Sequence, residues 1–348
     1  MAMKTIGVLT GGGDCPGLNA VIRAVERAGV KYGFETLGIR NGWLGLINGD
    51  VEPLTDFSVS GILPKGGTIL GTSRTDPLKT PTDFQKIQNN IKKYGIHALV
   101  VIGGDGTLSA ARDLVHRGIP LVGIPKTIDN DISGTDTSFG FDTAVSTVTE
   151  AIDRLHTPAE SHHRIIVVEV MGRNVGWIAV MAGIAGGADE ILIPEVHFNL
   201  DEVCKNLKAR YDTGKKFSIV VIAEGAHQTD LGLPSIPENQ RDECGHEKFV
   251  GVGNILGREL ERRLGIETRV TILGHVQRGG SPTAFDRVLA TRFGVAAVQL
   301  VQAGEFGKMV AIQGNRITSI PIESAVNHLK KVDTNFYELA MTVIGGRK

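Results

Sequence analysis

The sequence predicts an α/β protein of two interwoven, Rossmann-like doubly wound lobes with mainly parallel sheets, and three observations carry that prediction. Short β-branched runs recur without polar alternation, the signature of strands covered on both faces. Amphipathic stretches long enough to be crossover helices lie between them, giving repeated β-α-β. The 45 glycines among 348 residues, nearly double the usual ~7%, cluster at strand ends, where such sheets bind ligands.

Taken in order, the strand-like runs are residues 6–10, 97–102, 120–124, 164–170, 190–193, 217–223 and 269–273, and the helical stretches are 18–32, 108–117, 141–155, 200–211, 252–264 and 284–303. Residues 227–247, rich in Gly, Pro, Asp, Glu and Gln, read as an exposed irregular insertion. A chain of this length exceeds the roughly 250–300 residues that one hydrophobic core organises, so two lobes are expected. No linker composition separates them, and crossovers should weave them together.

Composition excludes several classes of function. No run approaches the ~18 consecutive apolar residues of a membrane span, and the opening residues lack a secretory apolar segment with a small-residue cleavage site, so neither a membrane nor export is expected. Cys15, Cys204 and Cys244 are scattered without metal-ligand spacing, which suits a reducing cytoplasm better than a disulfide framework. With 37 basic and 38 acidic residues the net charge is −1, so nucleic acid is not an expected partner. An anionic ligand has to be caught locally.

Three glycine- and aspartate-rich segments follow strand-like runs. Gly11-Gly12-Gly13-Asp14-Cys15-Pro16-Gly17 leads into a helix, placing free amides where an anion can sit; a tight turn capped by Asp14 would read the same way. Gly103-Gly104-Asp105-Gly106-Thr107 sets a carboxylate beside amides, the mixture a metal-bound polyphosphate requires, although Asp105 could also serve as a helix cap. Pro125-Lys126-Thr127-Ile128-Asp129-Asn130-Asp131 offers two carboxylates in a loop. Asp129 could accept the proton of an attacking hydroxyl and Asp131 could assist a metal through water, while an Asx-rich turn would look similar.

These segments, together with Glu169-Val170-Met171-Gly172-Arg173 and Leu273-Gly274-His275-Val276-Gln277-Arg278-Gly279-Gly280, occur in order over nearly the whole chain, which resembles the phosphofructokinase family. The resemblance implies transfer of a phosphoryl group from magnesium-ATP to the 1-hydroxyl of fructose 6-phosphate, with pyrophosphate as the alternative donor. It implies a donor-binding lobe of residues 1–140 with 277–327 and a fructose 6-phosphate lobe of 141–276 with 328–348. Gly12, Arg74, Thr75, Gly104, Asp105, Gly106 and Thr107 match the nucleotide-phosphate site, with Asp105 the magnesium ligand. Asp129 matches the proton acceptor, Thr127 a neighbouring substrate contact and Arg173 a group that stabilises the migrating phosphoryl. Met171, Gly172, Arg173, Glu224, His275 and Arg278 match the sugar-phosphate pocket. Arg164 and Arg269 match arginines supplied across a subunit interface, implying a homodimer or homotetramer with shared sites.

Two departures bear on donor and control. Pyrophosphate enzymes of the family typically carry a second aspartate where this chain has Gly106, which leaves room for an α-phosphate and favours ATP. They usually carry lysine where this chain has Lys126, which points the other way; a flexible lysine, however, can swing aside. Arg23 and Arg27 match part of a bacterial effector site, but Phe57 and Gly61 replace charged positions there, so weak or altered control by ADP and phosphoenolpyruvate is expected.

Overall fold

The first apolar run becomes β1 (Lys4–Thr10), buried at every position after the first. The structure is a computed structural model that describes residues 3–227 and 251–344. Most of the predicted insertion and Cys244 lie outside the described residues. The chain divides into two units, Met1–Thr143 with Arg278–Lys330 and Ala144–Gln277 with Lys331–Lys348.

In the first unit β1 is followed by α1 (Leu18–Lys31), β2 (Phe34–Ile39), α2 (Trp43–Asn48), β3 (Val51–Leu54), α3 (Pro81–Lys93), β4 (Ile96–Gly103), α4 (Asp105–His116), β5 (Leu121–Thr127) and β6 (Phe139–Gly140). The helix α5 (Phe141–His162) leads into the second unit, with β7 (Ile165–Val170), α6 (Trp177–Ala185), β8 (Glu190–Leu192), α7 (Leu200–Asp212), β9 (Ser218–Ala223), α8 (Val252–Leu264) and β10 (Thr268–Ile272). The chain returns to the first unit through α9 (Ala284–Ala303), β11 (Lys308–Gln313), β12 (Arg316–Pro321) and α10 (Ile322–Val326), and α11 (Thr334–Ile344) belongs to the second.

The sheet of the first unit runs β12-β11-β5-β4-β1-β2-β3, with β6 against β5. Its interior pairings are parallel, and the outermost pairs β2–β3 and β11–β12 are antiparallel. After β1 the chain builds outward through β2 and β3, then resumes on the other side of β1 with β4 and β5. The strand order therefore reverses between β1 and β4, the point at which open α/β sheets form a crevice beyond their carboxyl ends. Strand and helix side chains, among them Leu9, Leu99, Val101, Leu108 and Leu114, fill one core beneath that edge. On α9, a Cβ at Gly294 would lie 2.7 Å from the Cβ of Ala24, so glycine lets α9 sit close against α1. The second unit holds a four-stranded, fully parallel sheet in the order β10-β7-β9-β8, with its own core of Val167, Val220, Ile222, Leu256 and neighbours.

Candidate active site

Adjacent strands β1, β4 and β5 end in the three glycine- and aspartate-rich segments, so sheet order alone gathers them at one edge of the first unit. Main-chain bonds knit them together: the Gly11 amide donates to the Ile102 carbonyl at 2.9 Å and the Gly12 amide to the Ser73 carbonyl at 3.0 Å. Gly12 has φ 79°, a conformation in which side chains are rarely tolerated. At Gly11 and Gly103 space is the reason for glycine, since a Cβ there would fall 2.7 Å and 2.3 Å from side-chain carbons of the buried Thr107. Thr107 thus wedges the first two loops together.

Gly104 is the N-cap of α4 and makes no side-chain cap bond; Asp105, the first helical residue, is exposed. Asp105 therefore does not serve as the cap, and its carboxylate lies on the surface beside the helix amides. A Cβ built at Gly106 meets nothing within 4 Å, so the space an aspartate would take is open. Asp14 likewise leaves α1 uncapped, since Gly17 occupies that position without a side-chain bond.

Lys126 departs from the sequence expectation. The residue is 2% exposed, and its Nζ donates to the carbonyl of Gly11 at 3.0 Å and to that of Gly13. Burial pulls its pKa below the ordinary value, with Arg278 adding to the effect. Lys126 is therefore enclosed and bonded to the glycine loop, where its sequence alone suggests a mobile side chain. Buried Cys15 sits in the same pocket, and burial pushes its thiol up to about 12.

At the end of β5 one hydroxyl organises both aspartates. The Asp129 amide donates to Thr127 Oγ1 at 3.0 Å, and the Thr127 hydroxyl hydrogen-bonds the Asp131 carboxylate. Burial, and then the charges of Asp129 and Asp105, drive the Asp131 pKa upward, and its buried Oδ1 has no hydrogen-bond partner among the described residues. The charges of Asp129 and Asp105 both act on Asp131, so the three carboxylates share one electrostatic neighbourhood. This donor set fits magnesium, which keeps several waters and needs only one or two carboxylates. Among the described residues no group of three or more His, Cys, Asp or Glu forms a closed metal cage.

The segment carrying Arg74 and Thr75 is stitched to the same edge: Thr72 Oγ1 donates to the Gly12 carbonyl at 2.6 Å, and Thr10 Oγ1 to the Gly71 carbonyl at 2.7 Å. Arg74 is exposed there. Arg278, expected among the sugar-phosphate ligands, belongs to the first unit, where its Nη1 donates to the Asp14 carbonyl at 3.2 Å. Thr72 and Ser73, which supply the links to Gly12, precede Arg74 directly in the chain but carry no motif that marks them.

In the second unit, the carboxyl ends of β7, β9 and β10 bring together Met171–Arg173, Glu224 and His275. The Glu224 amide donates to the Val170 carbonyl at 2.8 Å and the Gly225 amide to the Gly172 carbonyl at 3.2 Å. Gly172 has φ 136°, and a Cβ at Gly225 would lie 1.8 Å from the Arg173 carbonyl oxygen, so both glycines permit the tight turn that presents Arg173. Buried Gln277, within the matched segment 275–278, accepts from the Met171 amide at 3.2 Å and donates to the Gly274 carbonyl at 3.0 Å. Arg164 and Arg269 lie elsewhere. They sit at the amino ends of β7 and β10, joined through Glu267, to which Arg164 bonds at 2.7 Å. At a rise of ~3.3 Å per residue, that end is roughly 20 Å from Arg173. Arg27, on α1, pairs with Asp56 at 2.7 Å, and Phe57 beside it is 91% exposed.

Comparison with known proteins matches residues 5–301 to the family described as Phosphofructokinase. The chain is 55% identical over 335 residues, 96% of its length and 97% of the relative's, to the pyrophosphate–fructose 6-phosphate 1-phosphotransferase of Streptomyces coelicolor. It is 52% identical over 340 residues, 97% of its length and 99% of the relative's, to ATP-dependent 6-phosphofructokinase 3 of the same organism. It is 50% identical over 347 residues, 99% of its length and the whole of the relative's, to the ATP-dependent 6-phosphofructokinase of Corynebacterium efficiens. Among solved structures, phosphofructokinase from Saccharomyces cerevisiae superposes with a TM-score of 0.79 at 35% identity; the match covers 98% of this chain and 46% of the yeast chain.

Proposed function

Because the chain belongs to the phosphofructokinase family, we propose that it transfers the terminal phosphoryl group of ATP to the 1-hydroxyl of fructose 6-phosphate, giving fructose 1,6-bisphosphate. The observation that carries this reading is the junction of two loops on neighbouring strands, one presenting Asp105 beside helix amides and the other presenting Asp129 beside Thr127.

In the proposed reaction the amides of Gly12 and Gly104–Thr107, with Arg74 and Thr75, hold the donor phosphates. Asp105 would hold magnesium, with Asp131 assisting through water; when bound, the ion neutralises charge on the polyphosphate. Asp129 accepts the proton of the 1-hydroxyl as its oxygen bonds phosphorus, and Thr127 fixes the turn from which it acts. Arg173 stabilises charge on the migrating phosphoryl, and Met171, Gly172, Glu224, His275 and Arg278 bind the sugar phosphate. Arg164 and Arg269 lie far from this chain's own Arg173, which supports their service to the 6-phosphate of a neighbouring subunit in a homodimer or homotetramer. The Arg27–Asp56 pair and exposed Phe57 support weak or altered control by ADP and phosphoenolpyruvate. The unpaired buried thiols of Cys15 and Cys204 suit a reducing, cytoplasmic setting, and among the described residues no helix is long and apolar enough to cross a membrane.

The open space at Gly106 supports ATP over pyrophosphate. The second reading, pyrophosphate as donor, is favoured by Lys126 and by the Streptomyces coelicolor pyrophosphate relative. A coupled assay with fructose 6-phosphate decides between them: kcat/KM at least about 100-fold higher with ATP is expected, and the reverse ranking would transfer the assignment to pyrophosphate.

A further inference from the structure

The loop that carries Asp129 is closed from behind by a segment nearly two hundred residues further along the chain. The Lys330 amide donates to the Asp131 carbonyl at 2.9 Å, Ser133 Oγ donates to the His328 carbonyl at 2.6 Å, and Ile132 pairs with Leu329 in an antiparallel bridge. The Lys330 side chain then reaches over the loop. Its Nζ donates to Asn130 Oδ1 at 3.2 Å, to the Thr135 carbonyl at 3.1 Å and to the Asp136 carbonyl. Asn130 Oδ1 also accepts from the Ser138 amide at 3.2 Å.

Asn130, between the two aspartates, has φ 54°. Asparagine enters that left-handed conformation more readily than most residues, and here its side-chain oxygen is held by Lys330 together with the Ser138 amide. All these groups belong to the first unit. Burial pulls the Lys330 ammonium down to about 8, and the half-buried cation gives these three bonds to one loop.

We propose that Lys330 is a positioning residue for phosphoryl transfer: by bonding Asn130 and the Thr135 and Asp136 carbonyls, it sets the turn that aims Asp129 at the hydroxyl it deprotonates. The proposal rests on the reading of Asp129 as the base. Misplacing a reacting group by about 1 Å can cost about 10²-fold in rate, so the effect falls on turnover and leaves binding largely intact.

The test is steady-state kinetics on full-length Lys330→Met, which keeps most of the stem and removes the ammonium, with Lys330→Arg and Asn130→Gly as companions. Asn130→Gly preserves the left-handed turn while removing the acceptor. Lys330→Met should lower kcat by about 10- to 100-fold with KM for fructose 6-phosphate and ATP within about threefold of wild type. Lys330→Arg should recover part of the loss. Combined with Asn130→Gly, the losses should fall short of multiplying, since both changes break one linkage. A kcat within twofold of wild type in Lys330→Met, or losses that multiply in the double variant, would overturn the proposal; should Lys330→Met fail to fold, unchanged kcat in Asn130→Gly would overturn it equally. Asp129→Asn separates the two levels. If it is slow while Lys330→Met is normal, only the positioning role fails; if it turns over normally, the reading of Asp129 fails as well.

Discussion

Thr107 shows how much of this site depends on single atoms. Its side chain occupies the room that a Cβ would need at Gly11 and Gly103, so these glycines serve packing as well as ligand approach. Gly103→Ala therefore overpacks the junction, a change that typically costs about 1–3 kcal/mol. A lower thermal midpoint and a donor KM raised about tenfold or more are expected; wild-type values for both would show that Thr107 can yield. The sequence marked these glycines but could not distinguish a steric reason from a ligand-binding one, because the partner lies on another strand. The enclosure of Lys126 was hidden for the same reason. Its local string suggests a mobile cation, and only the fold reveals carbonyl oxygens of β1's loop closing around it.

At the level of elements, most strands buried on both faces were legible, as were the edge strands β8 and β10 of the second sheet, whereas β2, β3, β11 and β12 of the first were not. Residues 6–10, 97–102 and 217–223 read as strands because they are mostly apolar and mostly enclosed on both faces. β2 contains exposed Glu35 and a glycine, β3 contains Pro53, and β12 is half-exposed throughout, so none offers a continuous apolar run. α6 is apolar on all sides and lacks the polar face that identifies a surface helix. α3, by contrast, carried a start signal that went unused, with Thr80 accepting from the Asp83 amide and Pro81 in the first turn. β8 yields a test of burial. Glu190 is 3% exposed, accepts from Asn206 at 2.9 Å, and is pushed by burial from an ordinary 4.5 to about 7. Between those values the unfolded chain releases the proton that the folded chain keeps, so this group's contribution to stability falls as pH rises from about 4.5 to 7, by about 3 kcal/mol. Glu190→Gln keeps the acceptor for Asn206 and removes the titration. Its thermal midpoint should fall less than that of the wild type between pH 5 and pH 8, and equal falls would place the titration elsewhere.

For the whole molecule, parallel sheets account for where the chemistry lies: both units present their candidate residues at carboxyl ends of strands, because βα turns occur there. Local motifs made most of these positions legible. What they could not convey was distance, as with Arg164 and Arg269, which lie at the far end of their own sheet. If these two arginines serve a neighbouring subunit, co-expressed Arg269→Ala and Asp129→Asn chains should assemble hybrids in which some sites have every part intact. Activity well above either parent is expected, and none above the parents would argue for sites built within one chain. The central claim concerns a single carboxylate at the end of β5, and turnover of Asp129→Asn tests it most directly. Removal of a positioned base commonly costs about 10²- to 10⁴-fold; a loss of that size in kcat, with fructose 6-phosphate and ATP still bound at near wild-type affinity, is the predicted result, and turnover close to wild type would contradict it.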